Sequence, residues 1–142
     1  MAVPAATVAR YHGTFNVVGG VWPLVHRRSF EWLLGPKHDY WLAQTVGALM
    51  VVNGVVQLSA GDDATAVAQA RRLGMATSGV LLAIDLIYVR IGRIRWTYLL
   101  DAVLEAGWIG AWTASDYAGT AADVPGARPD AGAAQSDPGP RE

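Results

Sequence analysis

The sequence predicts an all-α integral membrane protein: a four-helix antiparallel bundle with a short interfacial helix in its first loop and a disordered C-terminal tail. Its 142 residues are 52% hydrophobic and only 16% charged, which is apolar for a soluble chain of this length. Residues 40–61 carry no charged side chain, and a helix of that length crosses a hydrocarbon core of about 30 Å. Residues 73–89 form a second apolar run that contains one charge, Asp85.

The first predicted helix runs from about Pro4, a residue suited to the first helical position, to about His26. We expect this segment to remain uncleaved, because no basic side chain precedes its apolar stretch as it would in a secretory signal. Polar or small residues recur along one stripe and should face protein rather than lipid: His12, Asn16, Gly20 and Arg27.

An interfacial helix is expected in the segment Ser29 to Tyr40, which mixes charged and aromatic residues and breaks at Gly35. The second long helix is predicted from Tyr40 to Ser59, with Asp39 as its N-cap. Small residues mark one side of it for close packing, at Ala43, Gly47 and Gly54. Its polar members are Gln44, Asn53 and Gln57.

The third long helix is predicted from Leu73 to Val89, after a linker that is helical from about Ala64 to Ala70. Its inward face is marked by Gly74, Ser78 and Asp85. The turn Arg90 to Trp96 is short enough to place a fourth helix, Thr97 to Thr113, alongside the third. Residues 1–113 thus form a transmembrane domain, and residues 114–142 form an acidic tail rich in Ala, Gly and Pro that should be disordered.

Two aspartates within the third and fourth helices predict where function resides. Asp85 and Asp101 lie eight residues on either side of Arg93, so an antiparallel hairpin places them level with each other. Glu105 lies one turn deeper. Ionisable groups inside a bilayer are costly and are rarely kept without a partner or a task. We therefore expect an acidic cavity between these two helices, whose other lining residues, judged by depth and helix face, are Asn16, Gln44 and Trp108.

Two interpretations of these acids remain open. In the first, Asp85 and Asp101 form structural ion pairs with arginines near the same end, the candidates being Arg27, Arg28, Arg90 and Arg95. In the second, the three neighbouring carboxyls share a proton, which they exchange for a cation or a small amphipathic or cationic ligand, or pass on in a relay. The sequence predicts no metal site and no cofactor, because the histidines show no ligand spacing with the acids and cysteine is absent.

Two other functional classes compete with these interpretations. A non-catalytic subunit could dock its small-residue helix faces against a membrane protein partner. A small membrane enzyme could use Glu105 and an aspartate as acid and base on a hydrophobic substrate. No basic stripe interleaved with aromatic residues is present, so nucleic-acid binding is not expected.

The placement of basic residues predicts the orientation in the lipid bilayer. Six lie in the first and third loops, at Arg27, Arg28, Lys37, Arg90, Arg93 and Arg95, against Arg10, Arg71 and Arg72 near the other ends. The positive-inside rule then places these loops in the cytoplasm and both termini outside. Ten arginines against a single lysine indicate a GC-rich bacterial genome, and hence a multi-pass protein of the bacterial cytoplasmic membrane. The tryptophans are expected to be interfacial anchors: Trp22, Trp32, Trp41, Trp96, Trp108 and Trp112.

Three segments carry a family resemblance: NVVGGVWPL within residues 12–35, GPKHDYWLAQTVGALMVVNG at residues 35–54, and YLLDAVLEAGW at residues 98–108. They resemble small bacterial four-helix membrane proteins, and the overall architecture is similar to the broad DoxX-like group. The resemblance spans roughly residues 10–113 and implies the four-helix membrane fold. It implies no functional residue, since no site residue of that group matches a position of this chain.

Overall fold

The structure is a computed structural model that describes residues 3–115, which form five α-helices and no β-strand. The helices are α1 (Ala5–Val25), α2 (Arg27–Leu34), α3 (Tyr40–Ser59), α4 (Ala64–Arg90) and α5 (Tyr98–Ala114). The all-α prediction is confirmed, with four long helices and a short one in the first loop. Helix α5 ends at Ala114, one residue past the predicted end of the fourth long helix, and the predicted tail lies outside the described residues from residue 116 onward.

Helix α4 is longer than the predicted third helix. The linker before Leu73, residues 64–72, is continuous with it. The Asp63 carboxylate caps its first turn by accepting a hydrogen bond from the Ala66 backbone N–H at 2.7 Å. Asp39, the predicted cap of α3, makes no such bond. The predicted interfacial helix is α2, which begins earlier than predicted and ends before Gly35. The backbone φ of Gly35 is 83°, a value that residues with a side chain rarely adopt.

Helices α1 and α3 pack against each other in antiparallel orientation through two pairs of glycines. A Cβ on Gly47 would lie 2.5 Å from the carbonyl oxygen of Gly20, and one on Gly54 would lie 2.5 Å from that of Gly13. Only residues without a side chain allow two backbones to approach this closely. The predicted packing stripe is therefore confirmed for Gly47 and Gly54, whereas Ala43 is only half-buried.

Helices α4 and α5 form a second pair, joined by residues 91–97, which packs against the first pair mainly through α4, in contact with both α1 and α3. The two basic loops meet at one end of the bundle, where Arg95 Nη1 donates to the Trp32 carbonyl oxygen at 3.1 Å. At the opposite end, Arg10 forms an ion pair with Asp62 at 2.8 Å. The polar interior described below lies between the two helix pairs.

The outer surface of the bundle is apolar. Large exposed hydrophobic side chains cover α3 and α4, among them Leu42, Leu49, Val52, Val55, Val80, Ile84 and Ile87. Of the described helices, α3 and α4 have the length and hydropathy of a membrane span. Two helices of this protein could therefore cross a membrane, by length and composition.

Candidate functional site

Polar side chains fill the centre of the bundle. Five of them have no exposed surface, and together they come from all four long helices: His12, Asn16, Gln57, Ser78 and Glu105. Gly74 makes room for this cluster, because a Cβ there would lie 2.5 Å from Gln57 Nε2 and 2.9 Å from His12 Nδ1. The predicted inward face of α4 is confirmed, since Gly74, Ser78 and Asp85 are all buried. Buried polar groups are costly unless they are hydrogen-bonded, so their partners define the site.

His12 is the centre of this hydrogen-bond network. The Trp112 indole N–H donates to His12 Nδ1 at 2.9 Å, and Gln57 Nε2 lies 3.1 Å from the same nitrogen. Because an indole N–H can only donate, Nδ1 must be the unprotonated acceptor. The ring proton is then on Nε2, which lies 3.5 Å from Ser78 Oγ. In this arrangement His12 is a neutral imidazole that directs its N–H toward Ser78.

The amide groups next to His12 are oriented by the same argument. Gln57 must present its NH₂ group to His12 Nδ1, so its Oε1 is free to accept from Asn16 Nδ2 at 2.9 Å. The remaining amide oxygen, Asn16 Oδ1, is buried and has no partner. The chain of donors thus ends in an acceptor that needs a hydrogen bond.

Two tryptophans of α5 enclose the histidine. Trp108 stacks on His12 with the ring centroids 4.6 Å apart and the planes 11° apart, and it lies 5.6 Å from the Phe15 ring. Trp112 is fully buried, so its prediction as an interfacial anchor was wrong. Its indole N–H has a partner inside the bundle, which allows its burial.

Three carboxyl groups lie along the interface of α4 and α5; we call Asp85, Asp101 and Glu105 the acid row. The carboxyls of Asp85 and Asp101 are close enough to share a hydrogen bond, and Glu105 lies within electrostatic reach of both. Glu105 also lies near Ser78, yet neither of its Oε atoms makes a hydrogen bond, and neither does Asp85 Oδ2. The acid row therefore continues through Ser78 to His12 as one series of titratable and hydroxyl groups.

The arginines predicted to pair with the acid row lie elsewhere. Arg27 donates two hydrogen bonds to Glu31, at 3.0 and 3.1 Å, because the two residues lie one turn apart on α2. Arg95 donates to a backbone carbonyl of α2. Arg28 and Arg90 are exposed, and within residues 3–115 neither takes part in an ion pair.

Of the other residues predicted by depth, Asn16 lies in the polar cluster and Gln44 does not. Gln44 is exposed on α3, whereas Gln57 is buried. The two glutamines are thirteen residues apart, which at 3.6 residues per turn places them about 140° apart around the helix. Only Gln57 lies on the side that faces the cluster, so depth alone identified the wrong glutamine.

A cavity of about 220 Å³ opens beside the acid row. It lies mainly between α1, α2 and α5, not between the third and fourth predicted helices, where the acids lie against one another. Of the acid row only Asp101 is on its wall, and four aromatic side chains face it: Phe15, Trp22, Phe30 and Tyr98. The cavity is thus apolar except at the end where Asp101 lies.

Outside the long helices, a small charged cluster occupies α2 and the loop after it. Hydrogen bonds from the Arg27 guanidinium and the Lys37 backbone N–H lower the pKa of Glu31 below its usual 4.5. Burial lowers the pKa of Lys37, whose Nζ lies 4.7 Å from the Tyr98 ring centroid and donates to the Leu34 carbonyl oxygen. These charges are satisfied by each other and by backbone groups near α2.

Among residues 3–115, no three histidine, aspartate or glutamate side chains come together as they would around a metal ion. Comparisons with known proteins found no matching family model, no matching curated protein and no matching solved structure. The DoxX-like resemblance therefore stays a prediction.

Proposed function

We propose that this chain is a multi-pass protein of the bacterial cytoplasmic membrane in which all four long helices cross the bilayer and α2 lies at the interface. The distribution of polarity supports this, because the exterior is apolar and several fully buried side chains are polar, which is unusual for a soluble bundle. Three exposed tryptophans lie at the end of the bundle that carries the basic loops, where membrane proteins place interfacial aromatic residues. Trp32 is in α2, Trp41 is at the start of α3, and Trp96 is in the loop between α4 and α5.

The orientation with both termini outside follows from the two basic loops at one end of the bundle. A reporter enzyme fused to the C-terminal tail tests it: we expect activity only for a reporter that functions outside the cytoplasm. Activity confined to a cytoplasmic reporter would reverse the orientation.

Within this bundle, we propose that the acid row holds a proton and exchanges it for a cationic ligand. One observation carries the proposal: within residues 3–115, no side-chain cation pairs with Asp85, Asp101 or Glu105, although Glu105 is fully buried. Uncompensated carboxylates in such a site are far too costly to persist, so the acid row must be neutralised by protons or by a cation from outside.

The unpartnered atoms support the same proposal. Among residues 3–115, the four buried side-chain atoms without a hydrogen bond are all acceptor oxygens: Asn16 Oδ1, Asp85 Oδ2 and the two Oε atoms of Glu105. A site with only acceptors in excess is suited to an occupant that donates, such as a protonated carboxyl or an ammonium group.

The geometry favours exchange over passage of protons through the whole bundle. A proton leaving Glu105 toward Ser78 would meet a His12 ring whose Nε2 already carries hydrogen and whose Nδ1 accepts from Trp112. His12 cannot accept a second proton without breaking the Trp112 bond. Proton movement is therefore confined to the acid row, on the side where Asp101 borders the cavity.

Proton release measured in lipid nanodiscs tests the exchange. Ammonium chloride is added to the full chain in weak buffer with a pH indicator, and empty nanodiscs serve as the blank. We expect a saturable release of about one proton per chain, since one bound cation takes the place of one proton. The triple variant Asp85→Asn, Asp101→Asn, Glu105→Gln should release none, and Asp62→Asn, at the opposite end of the bundle, should match the parent. Equal release by the parent and the triple variant would refute the proposal.

The alternative function, a non-catalytic subunit of a membrane complex, has less support because the glycines of its predicted docking faces pack within the bundle. The small-residue faces proposed to dock a partner pack against each other instead, Gly13 against Gly54 and Gly20 against Gly47. Cross-linking that recovers one reproducible partner from cells, with the acid row dispensable, would favour a subunit over a cation site. An acid–base enzyme remains the third proposal, and no specific contact favours it.

A further inference from the structure

The cavity beside Asp101 combines aromatic walls with a single carboxyl. Phe15, Trp22, Phe30 and Tyr98 line it together with leucines, so most of its surface is suited to hydrocarbon. The Trp22 indole N–H is already bonded to Ser29 Oγ at 2.7 Å, so this tryptophan offers the cavity no free donor. Aromatic faces also attract cations, which a purely aliphatic wall does not.

Within the part of the chain that the structure describes, no basic side chain pairs with the carboxyl at the Asp101 end. Asp101 has another carboxyl, Asp85, as its close neighbour, and Asp85 Oδ2 is buried without a hydrogen bond. Lys37 is held by the Leu34 carbonyl and the Tyr98 ring and is not on the cavity wall. A positively charged donor placed in the cavity would therefore meet the Asp101 carboxyl, which pairs with no cation among residues 3–115.

The volume limits the size of the occupant. A dry cavity of about 150 Å³ holds a benzene ring. The present cavity of about 220 Å³ leaves room beyond one ring for a short carbon arm that ends in an ammonium group.

We propose that this cavity binds a hydrophobic primary ammonium, with its hydrocarbon part among the aromatic side chains and its ammonium group at Asp101. This inference rests on the proposed exchange, since the proton that leaves is the one that neutralised the Asp85–Asp101 pair. Charge balances, because one cation enters with its charge and one proton departs to solvent.

Equilibrium binding of 2-phenylethylammonium to the full chain in lipid nanodiscs tests this site. Titration calorimetry with empty nanodiscs subtracted should show one saturable site per chain. Asp101→Asn should weaken binding by about tenfold or more, whereas Asp101→Glu, which keeps the charge, should bind nearly as the parent does. Asp62→Asn is the matched control and should be unchanged.

A neutral isostere and a wall variant separate charge from shape. Propylbenzene has the same outline without the charge and should bind more weakly than the cation to the parent, with no response to Asp101→Asn. Phe30→Leu should weaken both compounds. Equal binding of the cation by the parent and Asp101→Asn, or equal binding of cation and isostere by the parent, would overturn the inference.

The outcome is distinguishable from failure of the exchange. Proton release by ammonium chloride without saturable binding of 2-phenylethylammonium would overturn the cavity assignment and leave the exchange standing. Binding that depends on Asp101 but releases no proton would support the cavity assignment and refute the exchange.

Discussion

The glycine contacts between α1 and α3 predict a large difference between two Gly→Ala substitutions. In Gly47→Ala the new Cβ would lie 2.5 Å from the Gly20 carbonyl oxygen and 2.7 Å from Pro23 Cγ, neither of which can move without shifting α1. An ordinary contact needs roughly 1 Å more, and such overpacking costs about 1–3 kcal/mol. In Gly79→Ala nothing lies within 4 Å, and removing a helical glycine stabilises by about 0.5–1 kcal/mol.

The two variants should therefore differ by about 2–4 kcal/mol in the free energy of unfolding, or roughly 10 °C in melting temperature. Thermal unfolding of both in the same lipid or detergent measures this, with the parent melting between them. Gly54→Ala, opposite Gly13, should behave like Gly47→Ala because its Cβ meets backbone and Val17 in the same way. If Gly47→Ala melted at or above Gly79→Ala, the close approach of α1 and α3 would be refuted.

Three further predictions follow from the hydrogen bonds and charges. Trp112→Phe removes the indole donor to His12 Nδ1, so thermal unfolding should show a loss of about 2 kcal/mol, while an unchanged melting temperature would argue against this bond. Because the Arg27 pair lowers the Glu31 pKa, its stabilisation is present above pH 4.5 and is lost as the pH falls through the lower folded-state pKa. Glu31→Gln should flatten that acid-side loss in a melting series; an identical slope in both proteins would contradict the assignment. Glu105→Gln should not lower the melting temperature, since no cation is orphaned; a fall of several degrees would reveal an ion pair.

Helix positions were predictable where periodicity and charge boundaries were strong. The uncharged run at residues 40–61 gave α3 its observed bounds, Tyr40–Ser59, and the short basic turn correctly joined α4 to α5. The linker was predicted to be helical from Ala64 to Ala70, but its unbroken continuation into the third long helix was missed, because the helix extends from its cap at Asp63 beyond the apolar stretch.

The polar interior was only partly predictable. Counting residues from a loop gives depth, and depth correctly brought Asp85 and Asp101 together, but it says nothing about which side of a helix faces inward. The choice of Gln44 over Gln57 failed for that reason. The pattern of small residues held the missing signal, since Gly54 and Gln57 lie about 60° apart on α3 and share the side that faces α1.

The arginine pairings failed for an energetic reason. A partner one turn away on the same helix, such as Glu31 for Arg27, costs less side-chain entropy than reaching into the bundle. Nearness along the sequence was therefore a poor guide to ion pairing with the acid row. Among residues 3–115, the three carboxyls have no basic partner.

Infrared difference spectroscopy of the full chain in lipid detects the proposed proton on the acid row, because a protonated carboxyl has a C=O stretch that a carboxylate lacks. We predict a protonated-carboxyl band near neutral pH without added cation. The band should be weakened in Glu105→Gln or Asp101→Asn, and addition of 2-phenylethylammonium should lower its intensity by about one carboxyl per chain. A parent spectrum without this band would mean that the acids are ionised and paired with a cation of their own, and it would contradict the exchange.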